Sequence, residues 1–371
     1  MRFLFVMPTI GQPRYAKRIN MLQNEGVVAN AAAFERDYHR GRVPDCSIDN
    51  LGRVYSGSYL KRVVTYLLSI KKIRRLAKGS HVVYSFGFDL FLLTYLATIG
   101  LSCKRVLEVG DIRKIQTGSS LISKILRALE RLFAHKIDLL VVTSSRYYTE
   151  YYEGWLNVSP NCLVVENKLE KTYLLSRPAF SNIAQHDCYC ARPIRIGYFG
   201  LLRCAWSAET LYELARKYPN SFEIVLAGRW ILGREQLEKI LKLVNVSFLG
   251  EYRSPDDLER LYSKVDIVWA GYSFSCSNNF NLFWAKTNRY YESLFYFKPL
   301  ITTKGSCDEA DITNFGIGLG LEYGDPSKVA EFLNKKLSLR KIDAWRGNML
   351  KVPDKLFVYE DEASKLIDAI K

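Results

Sequence analysis

The chain has 371 residues, of which 48% are hydrophobic and 25% charged, and its formal net charge is +15. This length exceeds the roughly 250–300 residues at which one hydrophobic core stops growing, so two globular domains are predicted. No run of about 18 uncharged apolar residues occurs, which excludes a predicted transmembrane helix.

The positive charge is concentrated in the first half of the chain. Residues 1–190 hold 27 Lys and Arg against 15 Asp and Glu, a balance of +12, whereas residues 191–371 hold 26 against 23, a balance of +3. A basic domain of this kind favours an anionic partner, such as a membrane surface, a nucleic acid or a phosphorylated substrate.

The opening apolar segment predicts a buried first strand, because it is too short for a signal-peptide core and has no small-residue cleavage site. We therefore expect a cytoplasmic protein. The eight cysteines lack paired metal-ligand spacing and are interpreted as free thiols. No metal site is predicted.

The first half alternates short β-rich runs with segments of helical periodicity, a pattern typical of a parallel sheet covered on both faces. The predicted strands are residues 3–7, 81–85, 105–109, 139–143 and 162–165. The predicted helices are residues 15–25, 59–78 and 120–135.

Two of these helices are amphipathic and basic. Residues 59–78 place Val63, Val64, Leu67 and Leu68 beside a series of Lys and Arg side chains, and residues 120–135 follow the same pattern. A basic amphipathic helix can lie on anionic lipid. The alternative interpretation, an ordinary helix that covers a sheet with a solvated basic rim, stays open.

A segment without apolar periodicity separates the two halves and predicts the division into domains. We expect a first domain at residues 1–178, a linker at 179–193, a second domain at 194–352 and a C-terminal helix within 353–371 that packs back on the first domain. The second half again alternates strands and helices. Its strands are predicted at residues 194–199, 222–227, 244–249, 267–270, 299–302 and 318–321, and its helices at 207–218, 234–243, 256–263, 288–295 and 326–336.

From Ile194 onward the sequence resembles the GT-B glycosyltransferases, in particular the retaining family called glycosyl transferases group 1. The residues that carry the resemblance lie in the family's order along the chain. They are Ile196-Gly197-Tyr198-Phe199-Gly200 with Arg203, then Val246 to Tyr252, then Asp256 to Tyr262, and finally Thr287-Asn288-Arg289-Tyr290-Tyr291-Glu292 before Lys298-Pro299.

The resemblance implies two Rossmann-like, doubly wound α/β domains facing across a cleft. It also implies a nucleotide-sugar donor bound mainly by the second domain, with no cofactor and no essential metal. The implied donor-binding residues are Gly200, Arg203, Arg229, Gly250, Tyr252, Lys286, Asn288, Arg289 and Glu292. Among them, Glu292 takes the role of the family's ribose-binding glutamate, and Arg289 offers a bidentate phosphate contact.

The sequence also departs from the family pattern. Many relatives carry a second glutamate eight residues before the first, and Trp284 stands at that position here. The polar candidates nearby are Asn279, Asn281 and Lys286. Asp308, Glu309 and Asp311 could cap a helix near the transferred sugar.

The first half resembles the family more loosely. Gly11, which follows the first strand, is similar to the family's N-terminal glycine loop, although an ordinary strand-to-helix turn is an equal alternative. Sugar transfer requires a base for the acceptor hydroxyl. Asp111 is the first candidate and Glu108 the second, each with Arg113 as a possible partner.

These observations predict a glycosyltransferase that acts on a saccharide or polyprenyl-linked acceptor in capsule, lipopolysaccharide or other glycolipid synthesis, at an anionic membrane surface. Two alternatives remain. The first is a nucleotide-sugar 2-epimerase of the same fold, and the second is a catalytically inactive binding homologue. No nucleic-acid-binding signature is present.

Overall fold

The structure is a computed structural model that describes residues 1–36, 43–54, 59–180, 192–273 and 280–371. Its described residues form two compact units. One comprises Met1–Asn167 with Glu360–Lys371, and the other comprises Lys168–Tyr359.

The elements up to Asn167 alternate strands and helices. In chain order they are β1 (Arg2–Met7), α1 (Pro13–Gln23), β2 (Val28–Glu35), β3 (Ser47–Arg53), α2 (Tyr59–Ala77), β4 (Val82–Phe86), α3 (Phe88–Ala97), β5 (Lys104–Val109), α4 (Lys114–Thr117), α5 (Leu121–Phe133), β6 (Leu139–Val142) and β7 (Cys162–Val164). A π-helical segment, Tyr147–Trp155, lies between the last two strands.

The remaining elements repeat the alternation. They are β8 (Ile194–Leu202), α6 (Ala205–Lys217), β9 (Phe222–Trp230), α7 (Arg234–Leu241), β10 (Val246–Phe248), α8 (Leu258–Tyr262), β11 (Ile267–Trp269), α9 (Asn281–Trp284), α10 (Asn288–Phe295), β12 (Leu300–Thr303), α11 (Cys307–Phe315), β13 (Gly318–Leu321), α12 (Pro326–Lys336), α13 (Leu339–Met349) and α14 (Glu362–Ile370).

Among the described residues, the first unit contains a seven-stranded parallel sheet in the order β3-β2-β1-β4-β5-β6-β7. Its strand order reverses between β1 and β4, since the chain leaves β1 toward β2 and leaves β4 toward β5. Ligands of doubly wound sheets bind outside the carboxyl ends of the strands at such a switch point. A core of Leu4, Val6, Ile73, Val83 and Leu90 packs between the sheet and helices α2 and α3.

The second unit's described strands form a six-stranded parallel sheet in the order β10-β9-β8-β11-β12-β13, with its own switch point between β8 and β11. One core of this unit joins Phe199, Leu258, Leu261, Tyr262 and Val268. Parallel sheets and their crossover helices in both units agree with the predicted fold class.

Strands β2 and β3 were not predicted from the sequence. The first contains a run of alanines and the second reads Ser-Ile-Asp-Asn-Leu-Gly-Arg, so neither has the Val/Ile enrichment of a buried parallel strand. Strand β2 pairs with β1, and β3 pairs with β2. This pairing supplies the stabilisation that their own side chains do not provide.

The division between the units falls before the predicted boundary at residue 178. The backbone of Leu169 pairs with Val358, and Arg177 donates to the carbonyl oxygens of Leu294 and Phe295, so this segment belongs to the second unit. Helix α14 belongs to the first. Residues 181–191 of the predicted linker lie outside the described residues.

Candidate active site

Three glycines meet at the carboxyl edge of the second unit's sheet. Gly200 lies within β8, which continues to Leu202 instead of ending at the glycine as predicted, and it pairs in register with Gly228 of β9. The Gly228 amide donates to the Gly250 carbonyl at 2.7 Å. A Cβ atom at Gly228 would lie 1.9 Å from the Gly200 carbonyl oxygen, and Gly228 has φ +119°, so glycine is required there.

Two predicted donor-binding cations flank these glycines. Arg203 follows β8 directly, and Arg229 lies in β9 opposite Leu201, one register position beyond the Gly200–Gly228 pair. Both side chains are exposed. The edge therefore offers two solvent-facing guanidinium groups beside a close-packed glycine backbone, which suits an anionic group.

Helix α10 begins with a double cap. The Thr287 side chain accepts a hydrogen bond from the Tyr290 amide at 3.3 Å. Asp308 then accepts bonds from both the amide and the hydroxyl of Thr287, at 3.0 and 2.7 Å. Burial raises the pKa of Asp308 to about 6, although the Thr287 hydrogen bonds act to lower it. Asp308, which belongs to α11, thus stabilises the start of α10 through Thr287.

Lys286 is bound within the unit. Its ammonium group lies 2.7 Å from Asp311 Oδ2 and 4.6 Å from the centroid of the Tyr290 ring, and Tyr290 donates to the same carboxylate oxygen at 2.8 Å. The sequence predicted a donor contact for Lys286. In the structure its charge has a carboxylate partner on α11, and the donor contact stays a prediction.

Arg289 is buried, with 7% of its surface exposed, at the switch point of the second sheet. Its guanidinium donates to the Trp269 carbonyl at 3.1 Å and to the Tyr272 hydroxyl, and its Cζ lies 5.5 Å from the centroid of the Tyr198 ring. These contacts tie the guanidinium to the end of β11, and its predicted phosphate contact stays a prediction. The sequence could not reveal these contacts, because the tyrosines lie far from Arg289 along the chain.

Glu292 is also buried, and Tyr262 of α8 donates to its carboxylate at 2.8 Å. Asn288, one turn earlier, is exposed. Tyr252 packs against the cluster that includes Tyr262, the residue whose hydroxyl bonds Glu292. Burial raises the pKa of Tyr252, and the Glu292 charge raises it further. The Tyr252 hydroxyl also approaches Gly200, at 3.9 Å from the position of an added Cβ.

The second unit thus brings together five predicted residues, namely Gly200, Gly250, Tyr252, Arg289 and Glu292, around the ends of β8 and β9. Trp284, at the position of the family's other glutamate, is buried and stacks on Phe280 with ring centroids 5.0 Å apart. An indole therefore packs at this position. Asn279 lies outside the described residues.

The first unit contains a cavity of about 270 Å³ at the switch point of its own sheet. The residues that follow β1, β2, β4 and β5 line it, and these include Arg14, Arg36, Asp89, Asp111 and Arg113. Gly11 lies in the loop between β1 and α1 with φ +84°. This conformation suits glycine, and the assignment of Gly11 to a family glycine loop stays a prediction.

Glu108 belongs to the floor of this cavity and is fully buried. Arg18 Nε lies 2.9 Å from its Oε2, Tyr84 donates to the same oxygen at 2.5 Å, and Arg18 also donates to the Val165 carbonyl at 2.6 Å. One carboxylate oxygen of Glu108 is therefore held by a buried guanidinium and a phenol. The assignment of Glu108 as an alternative base stays a prediction.

Asp111 has a different environment. Its side chain is 58% exposed and lies 3.4 Å from Arg14 Nη1, so it is accessible from solvent at the cavity rim. Arg113, which the sequence suggested as a partner of Asp111 or Glu108, lies 3.6 Å from Asp89. Of the two candidate bases, Asp111 is accessible to solvent and Glu108 is buried.

Sequence reasoning missed the partners that fix these side chains. Tyr262 holds Glu292, Tyr198 and Tyr272 surround Arg289, and Arg14 and Asp89 complete the rim of the first cavity. Arg14 and Asp89 carried one available signal, since each lies in the segment that follows a predicted strand. In the part of the chain that the structure describes, no group of His, Cys, Asp and Glu side chains could hold a metal ion.

A search of protein families returned no match. Succinoglycan biosynthesis protein ExoL from Rhizobium meliloti is 26% identical to this chain over 348 residues, a match that covers 90% of this chain and 84% of ExoL.

Solved structures share the fold over nearly the whole chain. HepE from Anabaena, solved with UDP, superposes with a TM-score of 0.70 at 15% identity and covers 100% of this chain and 99% of its own. A glycosyltransferase from Rickettsia africae gives a TM-score of 0.68 at 14% identity and covers 100% and 97%. UDP-GlcNAc 2-epimerase from Neisseria meningitidis, bound to UDP-GlcNAc, gives 0.62 at 13% identity and covers 100% and 99%. The chain therefore has the GT-B fold, built from two doubly wound parallel α/β domains.

Proposed function

We propose that the chain is a glycosyltransferase that transfers a sugar from a nucleoside-diphosphate donor to a saccharide or lipid-linked acceptor during polysaccharide synthesis. The observation that carries the proposal is the convergence of Gly200, Gly250, Tyr252 and Glu292 at the carboxyl edge of the second unit's sheet. The similarity to ExoL, whose name refers to succinoglycan biosynthesis, supports the same conclusion.

In this proposal the second unit binds the donor. The Glu292 carboxylate accepts hydrogen bonds from the ribose hydroxyls, and its bond from Tyr262 fixes its orientation. Arg203 and Arg229 face solvent beside the glycine backbone and stabilise the diphosphate as its negative charge develops. Buried Arg289 adds positive potential at the switch point while its hydrogen bonds hold the ends of β11 and α10 together.

The first unit supplies the acceptor site in this proposal. Asp111 accepts the proton of the acceptor hydroxyl as that oxygen attacks the anomeric carbon, and the nucleoside diphosphate leaves. The Arg14 guanidinium lies 3.4 Å from this carboxylate and orients it at the rim of the cavity. Retention of the anomeric configuration and transfer of a hexose follow from the family resemblance and belong to the proposal.

A nucleotide-sugar 2-epimerase is the second candidate, because the structure of the Neisseria epimerase has the same fold. The two candidates differ in their need for an acceptor. An epimerase changes the donor alone, whereas a glycosyltransferase releases the nucleotide in stoichiometric amounts with a glycosylated product.

The test is a thermal-shift screen with UDP, GDP and their sugars, followed by turnover assays that measure released nucleotide with and without a lipid-linked saccharide. We expect stabilisation by one nucleotide class and acceptor-dependent release. Absence of any nucleotide-induced shift would overturn the proposal, and acceptor-independent interconversion of two nucleotide sugars would replace it with the epimerase.

A further inference from the structure

The helices α2, α3 and α5 lie on one face of the first unit's sheet. The connections from β3 to β4, β4 to β5 and β5 to β6 all advance in the same direction along the sheet, and right-handed crossovers therefore place their helices on the same side. Packing agrees with this arrangement. Arg74 of α2 donates to the Ala97 carbonyl of α3, and the rings of Tyr95 and Phe133 lie 5.3 Å apart.

Helix α5 is turned with its apolar side outward. Its core-facing side buries Ser123 and Glu130, each 1% exposed. Its outer side shows five large aliphatic side chains at helical spacing, namely Leu121 (73% exposed), Ile122 (65%), Ile125 (50%), Leu129 (36%) and Leu132 (60%). A helix that merely covers a sheet has the opposite arrangement. The apolar side of α5 therefore requires another explanation.

The neighbouring helices extend this apolar surface. Exposed aliphatic side chains occur along α2 and at the end of α3, and they are Val63, Val64, Leu67, Leu68, Leu96 and Ile99. We call the outer sides of α2 and α5, with the C-terminal end of α3, the helical face. Contiguous apolar surface on a monomer is unusual unless something binds it.

The charges of the helical face have a single sign. Helix α2 contains no Asp or Glu, and Glu130, the acid of α5, points into the core. Lys71, Arg75, Lys78 and Lys124 are exposed among the aliphatic side chains. Lysine is depleted at protein–protein interfaces, whereas basic and aliphatic side chains together suit an anionic bilayer.

We propose that the helical face docks on an anionic lipid bilayer. The aliphatic side chains of α5 enter the level of the lipid headgroups while the lysines contact lipid phosphates. Trp155, which is 37% exposed and stacks under Arg127 at 5.5 Å, supplies an aromatic side chain of the type enriched at this depth.

This surface is close to the first-unit cavity along the chain. Gln116 lines the cavity, Leu121 begins the exposed side of α5 five positions later, and Arg127 of α5 donates to the Gln116 carbonyl at 2.7 Å. The inference rests on the proposed function in one respect: a lipid-linked acceptor would reach the cavity from a bilayer held at α5. It deepens that function by assigning the acceptor to the membrane surface.

The experiment is flotation of the full chain with phosphatidylcholine vesicles that contain or lack phosphatidylglycerol, at low and high salt. We expect binding to the anionic vesicles alone and its loss at high salt. The variants Ile122→Asp/Ile125→Asp and Lys71→Glu/Lys124→Glu should each reduce the bound fraction by at least about tenfold. Controls in the second unit, Val244→Asp and Lys264→Glu/Lys335→Glu, change exposed positions of the same residue types and should bind like the original chain.

Failure of the original chain to float at low salt, or equal flotation of variants and controls, overturns the inference. So does a dimer in solution that Ile122→Asp/Ile125→Asp dissociates without any vesicle binding, since the occupant is then a second copy. If the aspartate variant does not fold, the lysine variant decides the question. Nucleotide-induced thermal shifts on the same samples report on the donor site separately, so the two proposals can fail independently.

Discussion

The Tyr262 hydroxyl donates to Glu292 Oε2 at 2.8 Å, and both side chains are buried. Helix α8 thereby holds a carboxylate that α10 contributes to the proposed ribose site. A carboxylate fixed in this way keeps its acceptor atoms oriented before a nucleotide arrives, which reduces the entropy lost on binding.

The first prediction concerns this pair. Glu292→Ala should abolish the stabilisation by the nucleotide, and Tyr262→Phe should weaken its affinity about tenfold, since a hydrogen bond to a charged group contributes about 1.5–3 kcal/mol. Calorimetric titration measures both. Glu259→Ala on the exposed side of α8 is the control, and unchanged affinity in Glu292→Ala would remove Glu292 from the ribose site.

The exposed guanidinium groups should act differently from the buried one. Arg203→Ala and Arg229→Ala should each weaken nucleotide binding about tenfold without changing the melting temperature, because both side chains face solvent. Arg289→Ala should lower the melting temperature, because the Trp269 carbonyl loses its donor. Arg234→Ala, whose side chain is 90% exposed, is the control. Equal stability losses in all three variants would contradict this division.

Substitutions of Asp111 and Glu108 should differ in effect, the first lowering turnover and the second lowering stability. Asp111→Asn should reduce turnover about 10²–10⁴-fold while the melting temperature stays the same, since the side chain is 58% exposed. Glu108→Gln leaves Arg18 as a buried charge without its carboxylate and should lower the free energy of unfolding by about 3–5 kcal/mol. Denaturant unfolding and steady-state kinetics together distinguish the two roles, and a stable but inactive Glu108→Gln protein would reverse them.

The glycine at the end of β9 offers a matched comparison. Gly228→Ala and Gly233→Ala both introduce a Cβ at positive φ, but only the first brings it within 1.9 Å of a backbone oxygen, while nothing lies within 4 Å at the second. Both variants should lose about 1 kcal/mol from the strained backbone. Gly228→Ala should lose clearly more, because β8 and β9 must separate. Similar melting temperatures for the two proteins would show that the close approach has no energetic role.

A pH dependence follows from Glu130. Burial raises the pKa of this carboxyl group from 4.5 to about 7 in the folded state, although Gln116 donates to it at 2.8 Å. The folded chain therefore binds this proton more tightly than the unfolded chain does. The stabilisation is complete below about pH 4.5 and is lost as the pH rises through about 7.

Glu130→Gln cannot ionise, so its melting temperature relative to the original chain should rise between pH 5 and pH 8. Glu150→Gln, an exposed acid of the same unit, should show no such trend. A difference between Glu130→Gln and the original chain that stays constant over this range would mean that Glu130 does not titrate there.

The strand–helix alternation could be predicted because parallel strands and their crossover helices carry local hydrophobic patterns, as at β1, β5 and α10. Strands β2 and β3 could not, since pairing rather than composition stabilises them. The same reasoning applies to the site. The positions of Arg289 and Glu108 followed from motifs, but their burial depends on Tyr272 and Arg18, which lie 17 and 90 residues away along the chain.

The Arg18–Glu108 pair also limits how a ligand can be recognised in the first-unit cavity. The opposite charges of the pair neutralise each other beneath the cavity. The floor therefore exerts little net electrostatic attraction on a ligand of either charge. Selectivity must then come from the rim of the cavity. There Asp111 lies beside Arg14, and Asp89 lies beside Arg113. Replacing one residue of either rim pair should change the specificity of the proposed acceptor site while leaving the stability of the first unit unchanged.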